Sequence, residues 1–304
     1  MNKRNYIIES QSVSDDVVKL AETVGQKVIS ITKKQQIKKS EQTNFYYVDG
    51  EFKIRTNGKL KGGEVLTVQY IMYMFTSQEV YYAFLTNNNE NLNSEADPDT
   101  NTIKIVSAFI KGGVVNDFYE TISHELEHLY QYGCGMEKRA ELYDKAIKLL
   151  ANGNSNIDAY YVGLCCYYSF KHEQDAFVHQ FYTRLKQMGK RGHFDYFIKD
   201  YQPYQTISKA YEVLLDFQDN ERIMKAINYL GFTRKQFINL IYYRLKRFDK
   251  KLYNAYRRYM GETATLTEGN VDRFIREMED RLKETKKRGY EVEWGLESIY
   301  NFAP

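Results

Sequence analysis

Between Thr121 and Gln131 the chain reads Thr-Ile-Ser-His-Glu-Leu-Glu-His-Leu-Tyr-Gln, which places His124 and His128 four residues apart. On an α-helix that spacing sets two imidazoles about 40° apart around the axis and one turn apart along it. Both rings can then reach one divalent ion at about 2.0–2.1 Å and fill two of the four tetrahedral positions on zinc. Glu125 follows the first histidine. From there it can reach a water on such an ion without ligating it, which is the place of a general base. The chemistry is hydrolysis: an activated water loses its proton to Glu125, attacks an amide carbonyl, and the proton passes to the leaving amine. His-Glu-x-x-His can also be plain surface charge on a solvated helix. Against that, the chain has only five histidines, and two fall at this spacing.

For the rings to converge, the segment must be helical and held by a core. Val115, Phe118, Ile122, Leu126 and Leu129 share one broad face, which predicts an amphipathic helix over about 115–132 with both histidines turned away from its apolar side. Just before it, Thr102–Ile110 (TIKIVSAFI) is rich in β-branched residues and predicts a strand, closed by Lys111-Gly112-Gly113. A strand, a short glycine-containing connection and a motif-bearing helix is the context that the metal chemistry needs.

With these elements, residues 100–185 resemble the zincin metallopeptidases, over a little more than a quarter of the chain. The resemblance implies a zincin-like catalytic domain holding one zinc ion. It also implies that the strand is an edge strand along which an extended peptide lies, and that a third protein donor completes the site. The metzincin subgroup takes a histidine six residues after the second. Here that position is Cys134, and Gln131 stands where that pattern has glycine. The gluzincin subgroup takes a glutamate from a later helix, and here the chain offers His172-Glu173-Gln174-Asp175-Ala176-Phe177. Glu173 with Ala176 resembles the Glu-x-x-Ala of small gluzincins, so Glu173 is the implied third ligand. Asp175 and His172, within one turn of it, and Cys134 are the alternatives. His179 could orient substrate or stabilise an oxyanion. Glu127 reads as an outer neighbour of the ion or as a solvent residue.

The rest of the chain bounds the class. It has 304 residues, 43% hydrophobic and 27% charged, with a formal net charge of +3. This is the range of a soluble globular protein, and the overall charge points to neither nucleic acid nor membrane. The first residues lack a secretory pattern, and no apolar run approaches the ~18 residues a membrane span needs. The expected location is therefore cytoplasmic, or inside a phage particle, and not secreted. Three cysteines, two of them adjacent (Cys165 and Cys166), imply no disulfide framework. Only 3 prolines beside 28 tyrosines suit an AT-rich coding genome.

The expected fold class is α+β, helix-dominant, with a small β-sheet followed by a helical C-terminal extension. The expected divisions are a Lys-rich helical segment (1–42), the metallopeptidase domain (43–200) and a helical domain (201–304). Helix is expected over 13–39, 136–151 and 157–188, and over most of 204–290. A hairpin is expected over 44–56, turning at Asp49-Gly50. Residues 65–85 suit helix or strand equally, and 86–101 read as a polar loop. Residues 233–260 carry nine Lys or Arg against one acid, Asp249, on an amphipathic helix started by Thr233. A packed helix with a solvated basic face explains this pattern, and contact with nucleic acid is the sharper alternative. The apolar tail, with Trp294, Tyr300 and Phe302, could dock on the body or on an assembly partner. The two functions that fit are a zinc peptidase acting on a peptide or protein, and a zincin-like structural component, for example of a phage virion, with little or no activity.

Overall fold

A computed structural model describes residues 14–32, 34–39, 45–56, 60, 64–75, 77–87, 93–110, 113–114, 118–133, 141–151, 156–188, 192–216 and 220–261. Helices outweigh strands, and the fold is helix-dominant α+β. The apolar tail with Trp294, Tyr300 and Phe302, and Cys134, lie outside the described residues. The described residues form two units, one on 14–133 and 175–188, the other on 141–174 and 192–261.

The first unit contains helix α1 (Asp15–Thr32), strands β1 (Lys38–Lys39), β2 (Phe45–Arg55) and β3 (Val65–Phe75), and helix α2 (Gln78–Asn87). Strands β4 (Glu95–Asp97), β5 (Thr102–Ile110) and β6 (Gly113–Val114) and helix α3 (Phe118–Gly133) follow. The sheet order is β1-β2-β3-β5-β4, with β6 on β5. β3 and β5 are parallel; the other pairs are antiparallel. One face of the sheet presents Val48, Leu66, Val68, Tyr70, Met72, Ile103 and Ile105. Against them pack Val17, Ala21, Val24 and Val28 of α1 and Phe118, Ile122, Leu126 and Leu129 of α3. The apolar face expected on the motif helix is therefore the face in the core; Val115 lies outside the described residues. A side chain at Gly25 would overlap the Tyr119 ring, so this glycine lets α1 lie close against α3. The other face of the sheet buries Phe45, Tyr73, Phe75, Val106 and Ala108 against Phe84 of α2.

Three sequence expectations fail in this unit. The hairpin turning at Asp49-Gly50 does not form: β2 runs straight through, with Asp49 opposite Ile71 and Gly50 opposite Tyr70. Gly50 serves close approach instead, since a Cβ there would meet the Tyr70 hydroxyl oxygen at 2.5 Å. The hairpin is the one joining β2 to β3, where the Thr56 amide donates to the Glu64 carbonyl. Helix 13–39 stops at Thr32, because Lys38 and Lys39 pair with Tyr47 and Tyr46 on β2. The strand before the motif is not outermost. β4 covers Thr102–Lys104, and the Ser94 hydroxyl accepts from the Val106 amide at 3.0 Å. The ambiguous segment 65–85 is both a strand and a helix, β3 and then α2. The polar loop over 86–101 contains β4.

The second unit is helical: α4 (Glu141–Ala151), α5 (Ile157–Ser169), α7 (Phe194–Lys199), α8 (Gln202–Asp216), α9 (Glu221–Tyr229) and α10 (Arg234–Tyr259). Helix α6 (Lys171–Met188) is one continuous helix whose first turn counts with this unit and whose remainder counts with the other. The single helix expected over 157–188 is thus broken, at Phe170, whose backbone is extended (φ −67°, ψ 139°). The Ser169 hydroxyl donates to the Cys166 carbonyl and the Gln174 amide side chain donates to the Tyr168 carbonyl. These satisfy carbonyls that the break would orphan. The break is what puts Glu173 in the first turn of a new helix.

Thr233 caps α10 in a capping box with Gln236, as expected. The basic face is less open than the residue count suggests: of the nine basic residues, only Lys235 and Lys250 are exposed and the other seven are half-buried. The one acid on this helix is buried. Asp249 is 4% exposed, and burial pushes its carboxyl from the ordinary 3.8 up to about 7, against a hydrogen bond with Tyr204 that pulls it down. Below pH 4 this carboxyl is neutral whether the chain is folded or not. From there to about pH 7 only the unfolded chain is ionised, so stability falls by about 1.4 kcal/mol per pH unit and is flat above. Asp249→Asn should flatten that slope and raise stability at pH 8 by about 2 kcal/mol or more. Urea titrations between pH 5 and 8 test this, and parallel profiles for variant and parent would refute it.

Candidate metal centre

Helix α3 presents its core face through Ile122, Leu126 and Leu129, so His124 and His128 emerge on the other side. Their Nε2 atoms lie 3.1 Å apart and their rings stand at 86°. Two donors on a tetrahedral zinc at about 2.0–2.1 Å are about 3.3–3.4 Å apart, close to this spacing.

Helix α6 runs antiparallel along that side of α3. Arg184 meets Glu120 at 3.6 Å, the Thr183 hydroxyl donates to Ser123 Oγ at 2.9 Å, and Phe177 packs on the His124 ring with centroids 4.6 Å apart. Partner numbers fall on α6 as they rise on α3. Glu173, one turn before Phe177 on the same face, is therefore carried toward the histidine pair. His124, His128 and Glu173 each offer a ligand atom, all within 4.8 Å of one another. Two nitrogens and a carboxylate oxygen are a donor set that suits zinc. Ala176 is fully buried, as expected of a small residue where α6 lies close against its neighbours.

No protein-family model matches the chain, and no curated protein or solved structure matches it.

The donors are held from behind. Glu173 is 1% exposed, and its Oε1 accepts from the Tyr143 hydroxyl at 3.0 Å, with His172 Nε2 at 3.4 Å. Burial pushes the Tyr167 phenol well up, and the charge of Glu173 and a hydrogen bond to it add to the shift. Two phenol hydroxyls thus hold this carboxylate in place. On the histidine side, Gln131 donates through Nε2 to Glu127 Oε1 at 3.1 Å and turns its Oε1 to His128 Nδ1 at 3.4 Å. The His128 tautomer protonated on Nδ1 donates to this oxygen and leaves the Nε2 lone pair for an ion.

The other sequence candidates fall around this group. Glu125 is 8% exposed on α3 and is not one of the three donors. Asp175 is half-buried, and its carbonyl accepts from His179. His172 lies against Glu173. His179 is buried beside Glu127 and is not among the converging donors. Glu127, with 5% exposure, is an inner residue and not a solvent one. A cleft of about 240 Å³ opens on the opposite face of α3, lined by Leu126 and Tyr130 with Val17, Leu20, Ile54 and Leu60. None of His124, His128 and Glu173 lines it. Sequence reasoning missed Tyr143 and Tyr167, since 28 tyrosines give no ground for choosing. The Gln131 contact had a usable signal: it stands three residues after His128 and four after Glu127, on one helix face.

Proposed function

We propose that this chain is a zinc-dependent peptidase of gluzincin type, with His124, His128 and Glu173 as the ligands and Glu125 as the general base. The reading rests above all on the convergence of a buried carboxylate from α6 on the imidazole pair of α3. Zinc bound there would acidify a water and polarise a carbonyl. The chain's own residues do the rest. Tyr143 and Tyr167 hold the carboxylate donor, Gln131 sets the His128 tautomer, and Glu125 accepts the water proton and returns it to the leaving amine. The substrate class is a peptide or protein amide. A cytoplasmic or particle-borne setting, as expected from the sequence, fits this role.

A second reading, a zincin-like structural or assembly protein, draws on burial. Glu125 is 8% exposed, and Phe177 covers the His124 ring. A closed site of this kind suits a structural ion.

The first experiment is elemental analysis of the purified chain with His124→Ala and His128→Ala beside it. One zinc per parent chain and none in either variant is expected. Chelator-sensitive cleavage of a peptide library then supports the peptidase, whereas zinc without hydrolysis of any library member supports the structural protein. A parent that takes up no zinc removes both.

A further inference from the structure

Helix α10 sorts its residues by side. Phe237, Ile241, Leu245, Phe248 and Leu252 are buried, and the one acid of the helix, Asp249, is buried with them. On the opposite side Lys235, Asn239, Tyr243, Lys246, Lys250 and Arg257 follow one another at steps of four, four, three, four and seven residues. At 3.6 residues per turn these steps keep all six within about 80° of the circumference, in one row along a helix about 39 Å long. No acid of α10 interrupts the row. Positive charge is concentrated on this helix: α4, α5, α7, α8 and α9 together carry six Lys or Arg against seven Asp or Glu. Lys235 and Lys250 are exposed, and Lys246 and Arg257 are half-buried. Long basic side chains bury the stem and keep the charged head at the surface.

The row also carries an aromatic ring. Tyr243 is 69% exposed, more than any other large hydrophobic residue among those described. Beside it Lys246 Nζ lies over the Tyr242 ring, 4.4 Å from the centroid, which holds this cation next to Tyr243. A line of cations without acids complements a polyanion. An open ring among them adds a surface on which a base can stack, and only an unpaired strand has base faces to offer. A membrane surface fits less well, because the apolar side of α10 that would enter it is in the core.

We infer that the outer face of α10 binds single-stranded nucleic acid: Lys235, Lys246, Lys250 and Arg257 meet phosphates and Tyr243 stacks on a base. This goes beyond the zinc reading and does not depend on it.

The test is fluorescence anisotropy of a labelled oligothymidylate, about 20 nucleotides long so that it exceeds a single-strand site of ~4–16, titrated with the full chain. Four phosphate contacts predict that affinity falls about fiftyfold between about 50 and 200 mM salt. Lys235→Gln with Lys250→Gln should weaken binding and halve the slope of log affinity against log salt. Tyr243→Ala should weaken binding about fivefold or more and leave that slope unchanged, and Tyr243→Phe, which keeps the ring, should bind as the parent does. All three positions are exposed, so the variants should fold, and circular dichroism checks that they do. A parent that gives no anisotropy change at the lowest salt overturns the inference. So does a parent whose binding these variants leave unchanged, because the strand then lies elsewhere. A duplex or polyglutamate bound as tightly as the single strand, or phosphatidylserine vesicles that displace it, would mean that the face reads charge alone, and would overturn it too.

Discussion

Glu125→Gln should retain zinc and lose turnover. Glutamine keeps the shape of the side chain and its capacity to accept a hydrogen bond, but it cannot take the proton of an attacking water. Proton transfer by a placed group is worth about 10²–10⁴ in rate, so kcat should fall by that factor. Zinc affinity should not follow, because Glu125 is outside the three-donor group. The two readouts are therefore expected to separate: stoichiometric zinc in variant and parent alike, and cleavage of the same peptide only by the parent. A variant that cleaves as fast as the parent would remove Glu125 from the mechanism. A variant that loses its zinc would make Glu125 a ligand or a packing residue. Its burial makes the second outcome a real competitor, and this is why metal content has to be measured on the sample used for kinetics.

The site was legible where its geometry is local and obscure where it is not. His124, Glu125 and His128 lie within five residues, and helical periodicity alone sets their relative directions. The apolar face through Ile122, Leu126 and Leu129 was equally readable, and so was the Thr233 cap. Glu173 could be reached only through a resemblance, because no spacing rule connects residues 49 positions from His124 and 45 from His128. The Tyr143 contact with Glu173 depends on tertiary packing that leaves no periodic trace. The fold misses have the same origin. Asp49-Gly50 carries a strong local turn signal, and eleven registered pairs with β3 override it. Residues 157–188 keep helical composition throughout, but the side-chain bonds of Ser169 and Gln174 make a break at Phe170 cheap. Asp249 looks like a solvated acid in a basic stretch, and only packing against α8 in the helical unit reveals it as buried.

Glu173→Gln should weaken zinc binding a hundredfold or more and cost the metal-free protein nothing. A carboxylate 1% exposed has given up nearly all its water, and hydrogen bonds from Tyr143 and Tyr167 offset only part of that loss. A positive ion at the shared focus of His124, His128 and Glu173 would supply the remainder. Without zinc, then, the amide variant should unfold at a temperature equal to or above that of the parent. With zinc at a thousandfold excess over its Kd, the parent should gain about 4 kcal/mol and melt several degrees higher. The variant should gain only about 1 kcal/mol: structural zinc sites bind with about 10–16 kcal/mol over four donors, so losing one costs on the order of 3 kcal/mol, a hundredfold or more in affinity. Tyr143→Phe removes one holder of the carboxylate and should weaken zinc by about tenfold. Added to Glu173→Gln, it should weaken zinc no further, since there is then no charged donor left to orient. Calorimetric melting with and without zinc measures all four proteins. A Glu173→Gln variant that is destabilised without metal and still gains the full zinc shift would mean that the carboxylate is a core hydrogen-bond acceptor and not a ligand.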